Sequence, residues 1–167
     1  KAVSDLGFGH RLSTPGVPST NAVIEGLVGK CMAGCKTLLE AAGLPACYWP
    51  YAVRFFCFAS VIEVKKKDSI YNRQLLCGNF PGARIPFGAK VLYRQSKHTG
   101  EKKNIMDVKW REGAWFGHIR SSTEVLIGTE EGVVKAFTVR RLVKSQRWDR
   151  KLIEAIKGTP KRPDPNM

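Results

Sequence analysis

The hydrophobic period of the chain changes at Arg84, and that change constrains the fold more than any other feature. Before it, Ile24, Leu27, Val28, Cys31, Cys35, Leu38, Leu39 and Ala42 recur at helical spacing and make one apolar face. After it come short β-rich segments, at residues 85–94, 114–120, 124–129 and 133–139, split by polar or glycine-containing loops. Four or five such strands within residues 84–143 predict a small barrel. The sequence therefore predicts an α+β chain. A mostly helical part spans residues 1–64, a linker 65–83, a barrel 84–143, a short helix 144–158 and a basic disordered tail 159–167.

Local signals refine this layout. Pro15, Gly16 and Pro18 break regular structure, and Ser19 or Thr20 is placed to cap the first helix through its hydroxyl. Gly43-Leu44-Pro45 stops that helix. A second helix from Pro45 or Pro50 through Val61 is apolar nearly all round, which predicts burial between layers. Glu130-Glu131-Gly132 reads as a three-residue hairpin loop with glycine where a positive φ is needed. Residues 145–157 read as a third helix, with Trp148, Leu152, Ala155 and Ile156 on one face.

Charge speaks to partners. The 28 Lys and Arg against 14 Asp and Glu leave a net charge of +14. That excess favours nucleic acid, acidic protein surfaces or anionic membranes, and says nothing about fold. The longest apolar stretch, residues 46–64, is interrupted by Pro50, Arg54 and Glu63, so it is expected as a buried helix and not a membrane span. No charged segment followed by an apolar run opens the chain, so secretion is not expected. The chain begins on Lys1 without an initiator methionine, so an upstream segment is expected. The 5 cysteines are odd in number and irregular in spacing, which is no disulfide framework. Cys31 and Cys35, four apart on one helix face, could place two thiolates on a metal. Buried thiols in a reduced compartment account for them more simply.

The frame Ser13-Thr14-Pro15-Gly16-Val17-Pro18-Ser19-Thr20-Asn21-Ala22-Val23-Ile24-Glu25, running into a helix that ends at Ala41-Ala42-Gly43-Leu44-Pro45, resembles the last active-site segment of copia-type retrotransposon integrases. The following Tyr48-Trp49-Pro50-Tyr51-Ala52 is similar to the same family. So is the later pattern of Val91-Leu92-Tyr93-Arg94, a basic loop, Trp110 and Gly113, Trp115 and Gly117, and a closing Val139-Arg140-Arg141, which resembles the SH3-like barrel behind the integrase core. The resemblance implies the helical remnant of an RNase H-like core, then an SH3-like barrel and a short helix. It makes Glu25 the ancestral third catalytic carboxylate, a Mg²⁺ ligand in a two-metal phosphoryl-transfer site of the intact family. The two aspartates that complete that site are not matched, since only Asp5 precedes Glu25 and it lies too close. Gly26-Leu27-Val28 stands where the family has Arg-x-Asn, and the family's zinc-binding His/Cys module is not present in this sequence. The chain as given is thus expected to be no enzyme and to hold no cofactor. Read without the family, Glu25 is an acid favoured near a helix N-terminus by the macrodipole.

The residues expected to contact nucleic acid are Lys97, Lys102, Lys103, Lys109, Arg111 and Arg120 in one loop and its strand edges, and Arg140, Arg141, Lys144 and Arg147 at the barrel exit. Their cations can pair phosphates while Trp110, Trp115 or Phe116 stacks on bases, although a strand position makes Trp115 or Phe116 a core residue. No base-reading motif accompanies them, so binding to DNA or RNA is expected to be sequence-independent. Three functions stay open. The chain is the C-terminal half of an integrase, nuclear and binding nucleic acid; a domesticated basic subunit of a large assembly such as an organellar ribosome; or a protein-interaction barrel. In each, residues 21–64 are expected to need a protein partner or an upstream segment to cover their apolar side chains.

Overall fold

The computed structural model describes residues 21–63, 82, 84–95, 109–119 and 122–165. Helix α1 (Ala22–Ala42) leads through a 3-10 turn (Ala46–Tyr48) into α2 (Trp49–Glu63). Strands β1 (Lys90–Gln95), β2 (Arg111–His118), β3 (Val125–Thr129) and β4 (Gly132–Arg141) follow. A second 3-10 turn (Lys144–Gln146) precedes the short α3 (Arg150–Ala155). The class is α+β, as the change of period predicts.

The four strands pair antiparallel in chain order, and β4 closes back on β1 to make a barrel. Period-2 alternation sorts its side chains. Val91, Tyr93, Trp115, Val125, Ile127 and Ala136 fill the interior. Ala114, Phe116 and Leu126 point outward, into a second core shared with Cys35, Leu39, Ala42, Tyr48, Tyr51 and Ala52 of the helical part. Phe116 is its centre, with ring centroids 5.1 Å from Tyr51, 5.5 Å from Phe87 and 5.7 Å from Tyr48. Here β2 and β3 supply the surface against which the second half of α1 and the residues after it bury apolar side chains.

One bulge makes this possible. Trp115 pairs with Ile127 and Gly117 with Leu126, so Phe116 is the extra residue on β2. Gly117 takes φ 113°, and a Cβ there would sit 3.0 Å from the Phe55 ring on α2. Only glycine meets both demands, the left-handed backbone and the close helix approach.

Several local expectations are corrected. The caps foreseen at Ser19 or Thr20 lie outside the described residues, and Asn21 is the N-cap of α1, without a side-chain hydrogen bond. The β3–β4 loop has two residues, Glu130 and Glu131, because Gly132 already pairs with Thr129 as the first residue of β4, at φ 136°. The expected helix over 145–157 shrinks to α3, since the Asp149 carboxylate accepts the Leu152 N–H at 3.2 Å and starts the helix there. Trp148 is left outside the helix and half exposed. The tail expected to be disordered is hydrogen-bonded up to Pro163: Thr159 and Arg162 form a bridge, and the Pro163 carbonyl accepts the Val133 N–H at 2.9 Å. Upstream of it, the Lys157 N–H donates to the Thr129 carbonyl at 3.1 Å and the Tyr48 hydroxyl to the Ile156 carbonyl at 3.1 Å. The bonds to the Val133 N–H and the Thr129 carbonyl satisfy polar groups of the β3–β4 hairpin, which charge and proline content alone could not anticipate. No described helix is long and apolar enough to cross a membrane.

Candidate nucleic-acid interface

Because the helices cover β2 and β3, the outer barrel face left open among the described residues is that of β1 and β4. Leu92 pairs with Arg140 on one side and Glu112 on the other, so these three lie in a row across the outside of the barrel. Arg94 pairs with Thr138, and both are exposed. The Arg140 guanidinium lies 4.3 Å from the ring centroid of Trp110, a cation–π contact that holds the charge and the aromatic face together. Lys109 and Arg111 flank Trp110 and are exposed. Lys135 and Phe137 of β4 are exposed as well.

The sequence-predicted cations divide into distinct groups. Lys97, Lys102, Lys103 and Arg120 lie outside the described residues. Lys109, Arg111 and Arg140 come together around Trp110. Arg141 donates from Nη1 to the Arg84 carbonyl at 3.3 Å, and Lys144 opens the second 3-10 turn, exposed. Arg147 is half-buried, and its carbonyl accepts the Lys90 N–H at 2.7 Å. Arg111 meets Glu131 at 3.7 Å in an exposed pair, which is worth little in water. Among the described residues, Lys109, Arg140, Arg141 and Lys144 form no ion pair.

Sequence reasoning missed Lys90. Its side chain is only 16% exposed, and its ammonium lies 2.8 Å from Glu112 and 3.1 Å from Asp149. The hydrogen bond that Lys90 donates to Glu112 leads in raising the Lys90 pKa, and the one it donates to Asp149 leads in lowering that of Asp149. This clasp ties β1, β2 and the start of α3 together. It also engages the Glu112 carboxylate, which would otherwise stand opposed to phosphate on the Arg140 row. The alternation of β1 placed Lys90 on the outer face, but nothing in the sequence names Asp149, 59 residues away, as a partner.

Trp115 and Phe116, offered as stacking candidates, are both buried, one inside the barrel and the other under the helices. Trp110 is half-buried beside Arg140, and Phe137 of β4 is exposed. The Trp115 indole Nε1 has no hydrogen-bond partner among the described residues, and the His118 ring stands edge-on at 5.0 Å. A separate apolar cleft of about 360 Å³ opens between α2 and residues 84–87, lined by Phe55, Phe58, Ile85, Phe87 and Trp148.

Glu25 is exposed in the first turn of α1, its N–H donating to the Asn21 carbonyl at 3.0 Å. No group of three or more His, Cys, Asp and Glu side chains among the described residues could hold a metal ion. The described residues therefore do not fit a two-metal site, and Asp5 lies outside them. The chain matches no family model, no curated protein and no solved structure.

Proposed function

We propose that the chain is a sequence-independent nucleic-acid-binding piece of a copia-type retroelement integrase, with an SH3-like barrel as its binding module and an incomplete catalytic site. The observation that carries this reading is the open β1/β4 face, where Arg140 stacks on Trp110 between Lys109 and Arg111. Lys109 and Arg140, which form no ion pair among the described residues, suit phosphates, and a half-exposed indole edge suits a base or sugar. The net charge of +14 supplies a long-range field of the same sign. Glu25 is then an ancestral carboxylate, and the Mg²⁺ chemistry of the intact family is no part of what this chain does.

A protein partner has support of its own. Val23 is 78% exposed, Ile24 64% and Leu27 60%, so the first half of α1 presents apolar side chains that nothing described covers. A basic subunit of a larger assembly would use that half of α1 for a protein neighbour and the barrel for RNA.

Fluorescence anisotropy with labelled single- and double-stranded DNA and RNA tests the binding. Affinity should fall steeply between about 50 and 200 mM salt, with little dependence on sequence. Arg140→Ala should weaken binding to all sequences and reduce the salt slope by about 1. Absence of binding at about 50 mM salt, or binding without a salt slope, refutes the reading.

A further inference from the structure

Cys31 of α1 and Cys57 of α2 bring their sulfurs within 3.8 Å of each other across the helix pair. Cys57 is exposed, Cys31 is half-buried, and Cys35 is buried one turn further along α1. The three thiols do not converge as metal ligands, which leaves the chemistry of a pair. We propose that Cys31 and Cys57 form a reversible disulfide that staples α1 to α2, with a low-molecular-weight disulfide such as oxidised glutathione as the electron acceptor.

The exposed Cys57 reacts first. Its thiolate attacks one sulfur of oxidised glutathione, the glutathione S–S bond breaks, and one glutathione leaves, taking up the proton that Cys57 lost. The Cys31 thiolate then attacks the Cys57 sulfur of the mixed disulfide and expels the second glutathione, which takes up the proton from Cys31. The two cysteines lose two electrons together, and one glutathione disulfide becomes two thiols. The gap of 3.8 Å must close to about 2.05 Å for the bond to form. Burial pushes the Cys35 thiol up to about 11 and raises Cys57 too, which keeps these two thiols protonated at rest.

The position of the pair gives the link a consequence. Residues 21–30 of α1 are all exposed, and the buried face of the helix begins around Cys31 and Cys35. A bond at Cys31 fixes α1 at the boundary between its packed and free halves. Oxidation then holds Val23, Ile24, Leu27 and Val28 on a rigid ridge, and reduction lets that half fray.

The full chain, equilibrated in glutathione buffers of rising oxidised fraction, quenched in acid, alkylated and digested with trypsin, tests this by mass spectrometry. The peptide of residues 31–36 should appear linked to that of residues 55–65. The link should persist in Cys35→Ser and vanish in Cys31→Ser and Cys57→Ser. Hydrogen exchange over residues 22–35 should slow several-fold in the linked form. Glutathione retained on Cys57 without a cross-link, a cross-link running to Cys35, or unchanged exchange in the linked protein would each overturn the proposal.

Discussion

Replacing Phe116 by alanine tests whether helices and barrel are one folding unit. The Phe116 side chain is 1% exposed and stands between Tyr48 and Tyr51 of the helical part and Phe87 at the barrel mouth. Truncating a core phenylalanine costs about 3–5 kcal/mol, because the lost transfer energy is joined by a cavity term. The stacked pairs with Tyr51 and Phe87, at interplanar angles of 24° and 22°, add about 0.5–1.5 kcal/mol each beyond their area. The upper half of the core range is therefore expected, about 4–5 kcal/mol, and a melting temperature lower by roughly 10 °C or more for a chain of this size. Urea unfolding should be followed twice in a Trp49→Phe background, by far-ultraviolet circular dichroism for the helices and by the fluorescence of Trp110, Trp115 and Trp148, none of which lies on α1 or α2. A shared core requires both signals to move together, with one midpoint, in the parent and in Phe116→Ala. Phe116→Leu, which retains most of the volume, should lose less and keep the coincidence. Two separate transitions, or a barrel signal that Phe116→Ala leaves in place while the helix signal collapses, would refute the shared core.

Gly117→Ala should destabilise the protein by about 1–3 kcal/mol, since the residue would hold φ 113° and press on Phe55; a chemical melt reads this, and a neutral result would place the α2–β2 contact elsewhere. The Lys90 clasp predicts two pH limbs. Asp149 is lowered, so its contribution is whole above about pH 4 and is lost as pH falls through the folded value; Lys90 is raised, so its contribution is whole below about pH 10.4 and is lost as pH rises through the folded value. Melting temperatures across the acid range should show the first limb in the parent and a weaker one in Lys90→Met. Glu25→Gln should leave stability within about 0.5 kcal/mol, as an exposed side chain with no described partner allows. The purified chain should neither cleave nor join DNA with Mg²⁺ or Mn²⁺, and metal-dependent strand transfer abolished by Glu25→Gln would overturn the proposed loss of catalysis.

Periodicity alone determined which segments are helices and which are strands, because a side chain's face follows from 3.6 or 2 residues per repeat whatever the neighbours are. It placed α1 to its end at Gly43, most of α2, and the four β segments, and it put Arg140 and Arg141 at the barrel exit. The sequence also determined the sign of the surface. Bulk charge could not tell that the helices take the β2/β3 face and leave the β1/β4 face to Arg140, because that choice rests on the Phe116 bulge and on Gly117 admitting Phe55. Nor could it separate cations of different use: Lys90 is clasped by Glu112 and Asp149, while Arg140 rests on Trp110 and forms no ion pair among the described residues. Partners distant in the chain leave no periodic trace, and the pairing of Cys31 with Cys57, 26 residues apart, is of the same kind. Local chemistry fixes which way a side chain points along its own element. Only the packing of one element on another decides what it meets there.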